Sequence, residues 1–298
     1  MQYFLVKAFS RIACMLPDGL LRRLGGFLGG FLGGFLWPLV PSKRRATAVS
    51  NAMQALGLDR RAATALVRAS SVRFGRMFFE VLTLPKLTKE NIGRYVIFEG
   101  RANLEEAYSH GRGVIIASAH SGNWELIGPT LALNGFPVVG VAQKQTNVAM
   151  DRLINELRTS SGMKITYKTG VRDMVNLLGQ GMAIGLIMDQ DAKEQGVFAD
   201  FLGRPAATPA GPVSLARLKG APIVPIFITA NADGTHTLII HPPVWLTKTA
   251  DRDHDYLVTT RKLNAIISEH IRAHPSEWFW LHNRWKTPPP PAKPAAGQ

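Results

Sequence analysis

The stretch from Gly113 to Glu125, GVIIASAHSGNWE, limits what this chain can fold into more than any other part of it. Val114 to Ala119 is a run of small and β-branched apolar residues, short enough for a buried strand and too short for a core helix. Ser121, Gly122 and Asn123 are turn and helix-start residues. Trp124 to Leu133 then has the spacing of an amphipathic helix. His120 is therefore expected at a strand end and Glu125 in the first turn of the helix that follows. On one continuous helix five residues would set the two side chains about 140° apart, so the intervening loop is what lets them meet.

A neutral imidazole in that place can take a proton from a substrate hydroxyl. A carboxylate beside it fixes the tautomer and stabilises the imidazolium. That is the base and orienter of a hydrolase triad, with the nucleophile left to a substrate. The plainer alternative is a histidine capping a strand end and a surface glutamate on a helix. His-x4-Glu alone does not separate the two, and without a second histidine nearby it has poor zinc-ligand spacing.

The rest of the chain adds context. Tyr95 to Glu99, Phe136 to Ala142, Lys164 to Tyr167 and Ala183 to Met188 read as strands. Between and beyond them Ala102 to Ser109, Val148 to Ser160, Arg172 to Gly179, Gly211 to Lys219 and Tyr256 to Ala273 read as helices. Pro222 to Ala230 is a strand whose internal Pro225 points to an edge or a bulge, with Thr237 to His241 as a possible partner. Residues 43–84 read as helical. This is an α/β pattern around a mostly parallel central sheet flanked by helices. Polar clusters at His120, at Lys144 and Gln145, and at Asp189, Gln190 and Asp191 all follow the C-terminal ends of candidate strands, where open α/β sheets place their sites.

The N-terminus is different. From Leu24 to Ser42 there is no charge, and Gly-Gly-Phe-Leu occurs three times, at 25–28, 29–32 and 33–36. About nineteen uncharged residues can just span a bilayer, yet six of these are glycine, which weakens a helix. No small-x-small site follows for signal cleavage. A single span, a segment lying in the membrane interface and a buried Gly-rich helix hairpin all remain open, with the interfacial segment favoured. The chain divides into a membrane-associating segment over 1–42, a main domain over 43–286 and a disordered Pro/Ala-rich tail over 287–298.

The 298 residues carry a formal net charge of +14, which calls for an anionic partner: nucleic acid, an anionic membrane surface, a phosphorylated substrate or an acidic protein. No nucleic-acid motif accompanies the charge. A single cysteine, Cys14, excludes an intrachain disulfide.

Several blocks together resemble the bacterial lipid A biosynthesis acyltransferases, the lauroyl and myristoyl transferase group of the lysophospholipid acyltransferase superfamily. They are Glu99-Gly100, Leu104-Glu-Glu-Ala107, Gly111-Arg-Gly-Val-Ile115, His120-Ser-Gly-Asn-Trp-Glu125 and Asp189-Gln-Asp191. Further blocks are Gly196-Val-Phe198, Phe201-Leu-Gly-Arg-Pro205, Thr208-Pro-Ala-Gly211, Ala221-Pro-Ile-Val-Pro225 and Pro275-Ser-Glu-Trp-Phe-Trp-Leu-His-Asn-Arg-Trp-Lys286. The resemblance implies a glycerolipid-acyltransferase-like fold and transfer of a fatty acyl chain from acyl carrier protein, or coenzyme A, to a hydroxyl of a lipid acceptor. The acceptor would be a lipid A precursor or a related glycolipid or lysophospholipid. No cofactor beyond the thioester co-substrate and no metal is implied.

In that reading His120 is the general base and Glu125 orients it. Gly122 and Asn123 at the helix start offer amides to an oxyanion. Arg158 meets acceptor phosphates, while Asp189 and Gln190, with Asp191, line the acceptor pocket. Lys144 and Gln145 stand where relatives carry an arginine-containing segment. The acidic carrier protein suits the basic chain, and an amphiphilic acceptor suits an enzyme at the cytoplasmic side of the bacterial inner membrane. Two other functions compete: a non-catalytic basic membrane-binding protein, and a thioesterase using the same dyad on water.

Overall fold

The computed structural model describes residues 2–35 and 37–290. Leu36, at the end of the third Gly-Gly-Phe-Leu unit, and residues 291–298 of the expected disordered tail lie outside the described residues.

Helices come first: α1 (Gln2–Met15), α2 (Asp18–Gly30), α3 (Ser42–Leu56) and α4 (Arg60–Leu82). Gly57, with φ +65, ends α3, and the Asp59 carboxylate caps α4 by accepting from the Ala62 amide. The α/β part follows as β1 (Val96–Glu99), α5 (Arg101–Ser109), β2 (Val114–Ser118), α6 (Ile127–Leu133), β3 (Val138–Ala142), α7 (Val148–Thr159), β4 (Lys164–Tyr167), α8 (Val171–Gly179) and β5 (Ala183–Ile187). A hairpin, β6 (Val197–Phe201) with β7 (Arg204–Thr208), precedes α9 (Gly211–Lys219), β8 (Ile223–Ala230), β9 (His236–Ile240) and α10 (Arg252–Ala273).

Seven strands form one sheet in the order β1-β9-β8-β2-β5-β3-β4, and only the β8–β9 ladder is antiparallel. The expectation of an α/β fold with a mostly parallel, helix-flanked sheet is met. Alternation along β2 explains its apolar run. Ile115 and Ala117 face one core cluster and Val114 and Ile116 the other, so both faces of this central strand are covered.

Pro225 corrects one expectation: β8 lies inside the sheet, not at its edge. The β2 ladder on β8 ends with the pair Ala117–Pro225, and the β9 ladder begins one residue later with Ile226–Ile240. Proline thus stands at the handover, where neither neighbour needs a donor from it, and its carbonyl still accepts from the His241 amide at 3.0 Å.

The N-terminal segment also differs from one of its readings. Among the described residues no helix is long and apolar enough to cross a membrane. The repeat is instead two-faced. A Cβ on Gly29 would lie 2.6 Å from the Arg76 amide nitrogen, and one on Gly25 would lie 3.1 Å from the Phe79 ring, so glycine lets α2 press against α4. On the outer side Phe27, Phe31 and Phe35 are 71%, 46% and 68% exposed. Tyr3 and Lys7 of α1 reach Glu156 of α7, at 2.8 and 2.7 Å.

His270 of α10 is buried against Phe227, the two rings stacked 4.2 Å apart. Burial, with the charges of His274 and His241 behind it, pushes its pKa down to about 3. In the unfolded chain a histidine titrates near ~6.5, so that state takes up the proton first. Stability is therefore expected to drain as the pH falls below about 6.5, by up to ~1.4 kcal/mol per unit for this one group. Calorimetric melting between pH 7 and 5 checks this: His270→Gln should show a flatter pH dependence than the parent chain.

Candidate active site

Strand register builds the site. Ser118 of β2 pairs with Ile187 of β5. Two residues further along each strand come His120 and Asp189, which the parallel register sets side by side. His120 Nδ1 lies 2.8 Å from Asp189 Oδ1, and the His120 backbone amide donates to Asp189 Oδ2 at 2.9 Å. The Trp278 indole N–H donates to the same Oδ2 at 2.7 Å. Asp189 is 2% exposed. Burial raises the proton affinity of its carboxyl, but the charge of His120 and the hydrogen bonds from His120 and Trp278 outweigh that and hold its pKa at about 2. An ionised carboxylate only accepts, so Nδ1 carries the ring proton and Nε2 presents a lone pair.

This departs from two expectations. The carboxylate against the imidazole is Asp189, and Glu125 makes no hydrogen bond to His120. Asp189 in turn stands behind the histidine and does not line the cleft. Glu125 has another partner, Arg158 of α7, whose Nε and Nη2 reach its two oxygens at 2.6 and 2.5 Å. This fork is largely buried, with side-chain exposures of 23% for Arg158 and 13% for Glu125. The reason is local. Trp124–Leu126 forms a 3-10 turn before α6, and Trp124 stands edge-on to His120, ring centres 4.9 Å apart. Its indole N–H donates to Glu125 at 3.2 Å.

The turn itself is tightly specified. Gly122 has φ +61, and a Cβ there would meet the Ile228 carbonyl oxygen at 1.9 Å. Its amide, expected to serve an oxyanion, is committed to the Glu277 carbonyl at 3.0 Å. The Asn123 side-chain amide donates to Glu80 at 2.8 Å. The C-terminal segment clamps the same turn: the Phe279 amide donates to the His120 carbonyl at 3.0 Å, and Ser121 bridges to Trp278.

In front of His120 lies a cleft of about 750 Å³. Gln143 and Gln145 reach it from the end of β3, Lys168 from the end of β4, and Gln190 and Asp191 from the end of β5. Residues from the ends of β2, β3, β4 and β5 thus converge on one cleft. Lys144 is exposed and is not part of this lining. Gln190 Nε2 is 3.4 Å from His120 Nε2. The Asp191 amide donates to His282 at 3.0 Å, and its carboxylate accepts from Thr287 at 2.9 Å. Beneath Glu125 and Arg158 a smaller apolar recess enters the sheet layer between Ile116, Ile127, Val141, Met163 and Leu186.

Sequence reasoning passed over Trp278 and Lys168 as site residues. Trp278 reads as one of several packing aromatics, and only its N–H aimed at a carboxylate sets it apart. Lys168 follows the short strand β4 and carries the same strand-end signal as the other clusters.

A mostly parallel sheet with a carboxylate-backed histidine at its strand ends sets an imidazole over a cleft in an α/β fold. The chain belongs to the bacterial lipid A biosynthesis acyltransferase family, whose model matches residues 1–287, and is an acyltransferase. It is 28% identical over 225 residues to the phosphatidylinositol mannoside acyltransferase of Mycolicibacterium smegmatis, covering 74% of this chain and 72% of that one. It is likewise 28% identical over 194 residues to the lipid A biosynthesis palmitoleoyltransferase of Escherichia coli, covering 64% and 61%. The crystal structure of the 1-acyl-sn-glycerophosphate acyltransferase of Thermotoga maritima overlaps 86% of this chain and 99% of its own, at a TM-score of 0.39 and 14% identity.

Proposed function

We propose that this chain moves a fatty acyl group from a thioester of acyl carrier protein or coenzyme A to a hydroxyl of a glycosylated or phosphorylated lipid. The acceptor class follows the relatives, named for phosphatidylinositol mannoside and lipid A. The observation that carries the reading is the His120–Asp189 pair at the mouth of the cleft, with Nε2 turned to the cleft beside the Gln190 amide that a substrate hydroxyl would displace.

Nε2 takes the proton of the acceptor hydroxyl as its oxygen attacks the thioester carbonyl. The tetrahedral adduct collapses, the carbon–sulfur bond breaks, and the departing thiolate recovers the proton from the imidazolium. Asp189 stabilises that imidazolium. With the Gly122 amide committed elsewhere, the Gln190 side-chain amide beside Nε2 is the donor placed to meet the developing oxyanion. The Arg158 guanidinium, fixed by Glu125 at the cleft wall, presents positive charge to an anionic acceptor, and Lys168 adds a second cation. The apolar recess beneath them, about 110 Å³, offers room for only part of an acyl chain. The exposed phenylalanines of α2 and the turn after it, between basic residues, suit an interfacial seat on the cytoplasmic face of an anionic membrane.

The test is the purified full chain given an acyl carrier protein thioester together with phosphatidylinositol mannoside or a lipid A precursor, with products read by mass spectrometry. A new ester on the acceptor is expected. Free fatty acid as the sole product would make the chain a thioesterase, and acceptor binding with neither product would make it a binding protein.

A further inference from the structure

A second cavity, of about 290 Å³, lies away from the cleft, between α2, α4 and the turn joining β8 to β9. Arg22, Arg23, Arg76 and Lys86 line it together with three acids. The acids are already engaged. Asp18 Oδ1 accepts from the Tyr95 hydroxyl at 2.7 Å and lies 2.5 Å from Lys86 Nζ. Glu80 accepts from Asn123 at 2.8 Å and lies 3.4 Å from His236 Nε2. Asp233 accepts from the Thr235 amide and hydroxyl at 2.9 and 2.6 Å.

Lys86 is thereby paired, but the three arginines are not balanced in return. Arg22 spends one N–H on the Asp233 backbone carbonyl at 2.7 Å. Arg23 and Arg76 have no hydrogen bond or ion pair among the described residues, although an Nη of Arg76 lies against α2 at Gly26. His236 also lines the cavity. It is 6% exposed, and its Nδ1 has no partner among the described residues. A buried polar nitrogen without a partner is costly; with Nε2 turned to the Glu80 carboxylate, a phosphate P–OH would donate to Nδ1, and an imidazolium Nδ1–H would donate to a phosphate oxygen. A carboxylate is matched by a single guanidinium fork, whereas three arginine arms around one space suit the several oxygens of a phosphate. Leu20 and Phe27, on the same helix as Arg22 and Arg23, are 44% and 71% exposed, so apolar surface adjoins the charged one.

We infer that this cavity is a binding site for a phosphate ester, held by Arg22, Arg23, Arg76 and His236 and separate from the cleft in front of His120. The phosphate can belong to a membrane lipid head group or to a soluble ester, and one titration separates the two. The full chain in non-ionic detergent is titrated calorimetrically with sn-glycerol 3-phosphate and with dihexanoyl phosphatidylglycerol. Binding of the lipid at least tenfold tighter than the soluble ester assigns the site to a head group; equal binding assigns it to the ester itself.

In either case Arg23→Gln with Arg76→Gln, both exposed side chains whose loss leaves the core intact, should weaken binding at least tenfold. His120→Ala should leave it unchanged, and the His236 Nδ1 resonance should move on binding to the parent chain. A charge-matched control, Arg60→Gln with Arg61→Gln, should bind as the parent does. No binding of either probe would overturn the assignment. So would equal weakening in the control, which means unspecific attraction, or loss of binding in His120→Ala, which puts the ligand in the cleft. Because the readout is binding, it stands or falls independently of acyl transfer.

Discussion

Asp189→Asn is expected to silence acyl transfer by about 10³-fold while leaving the acceptor KM within a few-fold of the parent. All three groups around this carboxylate are donors: His120 Nδ1–H, the His120 amide and the Trp278 indole N–H. An asparagine must place its NH2 toward one side. Facing the amide and the indole, it would meet two donors, which cannot rearrange. Facing Nδ1, it meets a single ring nitrogen that can give up its proton. The ring then adopts the other tautomer, Nε2 carries hydrogen, and the base has no lone pair for the substrate. Nitrogen chemical shifts of His120 check the tautomer directly. An unchanged tautomer with full activity would remove Asp189 from the mechanism.

His120→Ala is expected to cost more, about 10⁴-fold in kcat, because it removes the proton acceptor itself. The side chain is partly exposed, and its main-chain bonds to Asp189 and Phe279 survive the change, so the melting temperature should hold within a few degrees. Glu125→Gln provides the contrast. It breaks the fork to Arg158 and strands a guanidinium at the cleft wall. The expected loss is about 2–3 kcal/mol of stability, below that of a fully buried pair, together with a raised acceptor KM. A kinetic loss in Glu125→Gln confined to kcat, with the tautomer of His120 disturbed, would return the orienting role to Glu125.

The sheet was largely legible because its signal is local. Val114–Ser118 and Ala183–Ile187 are apolar on both faces, and polar residues follow them abruptly. The partner of His120 was not legible, because it depends on which strands are neighbours. Glu125 is five residues away in sequence and Asp189 sixty-nine, and nothing in the spacing reveals that β5 lies beside β2. The 3-10 turn that carries Glu125 toward Arg158 is likewise a tertiary outcome. Pro225 misled for a related reason. A proline disfavours a central strand only where a ladder needs its N–H, and here the two ladders meet around it. The Gly-Gly-Phe-Leu repeat left a span, an interfacial segment and a buried hairpin open, because its contact with α4 through Gly25 and Gly29 shows only in the assembled helices.

The register between β2 and β5 has a consequence for how such an enzyme can diversify. The His120–Asp189 pair is set by two strands acting as a ruler, and the chain between them takes no part in the measurement. That intervening chain, from the end of β2 to the start of β5, supplies the turn before α6, Arg158, Gln143, Gln145 and Lys168, which form much of the cleft wall. Insertions or exchanges in the β3–α7 and β4–α8 connections can therefore reshape the cleft without moving His120 relative to Asp189. A single-residue slip within either strand would part the two at once. Under the proposed function, selectivity and chemistry would be inherited on separate segments of one sheet.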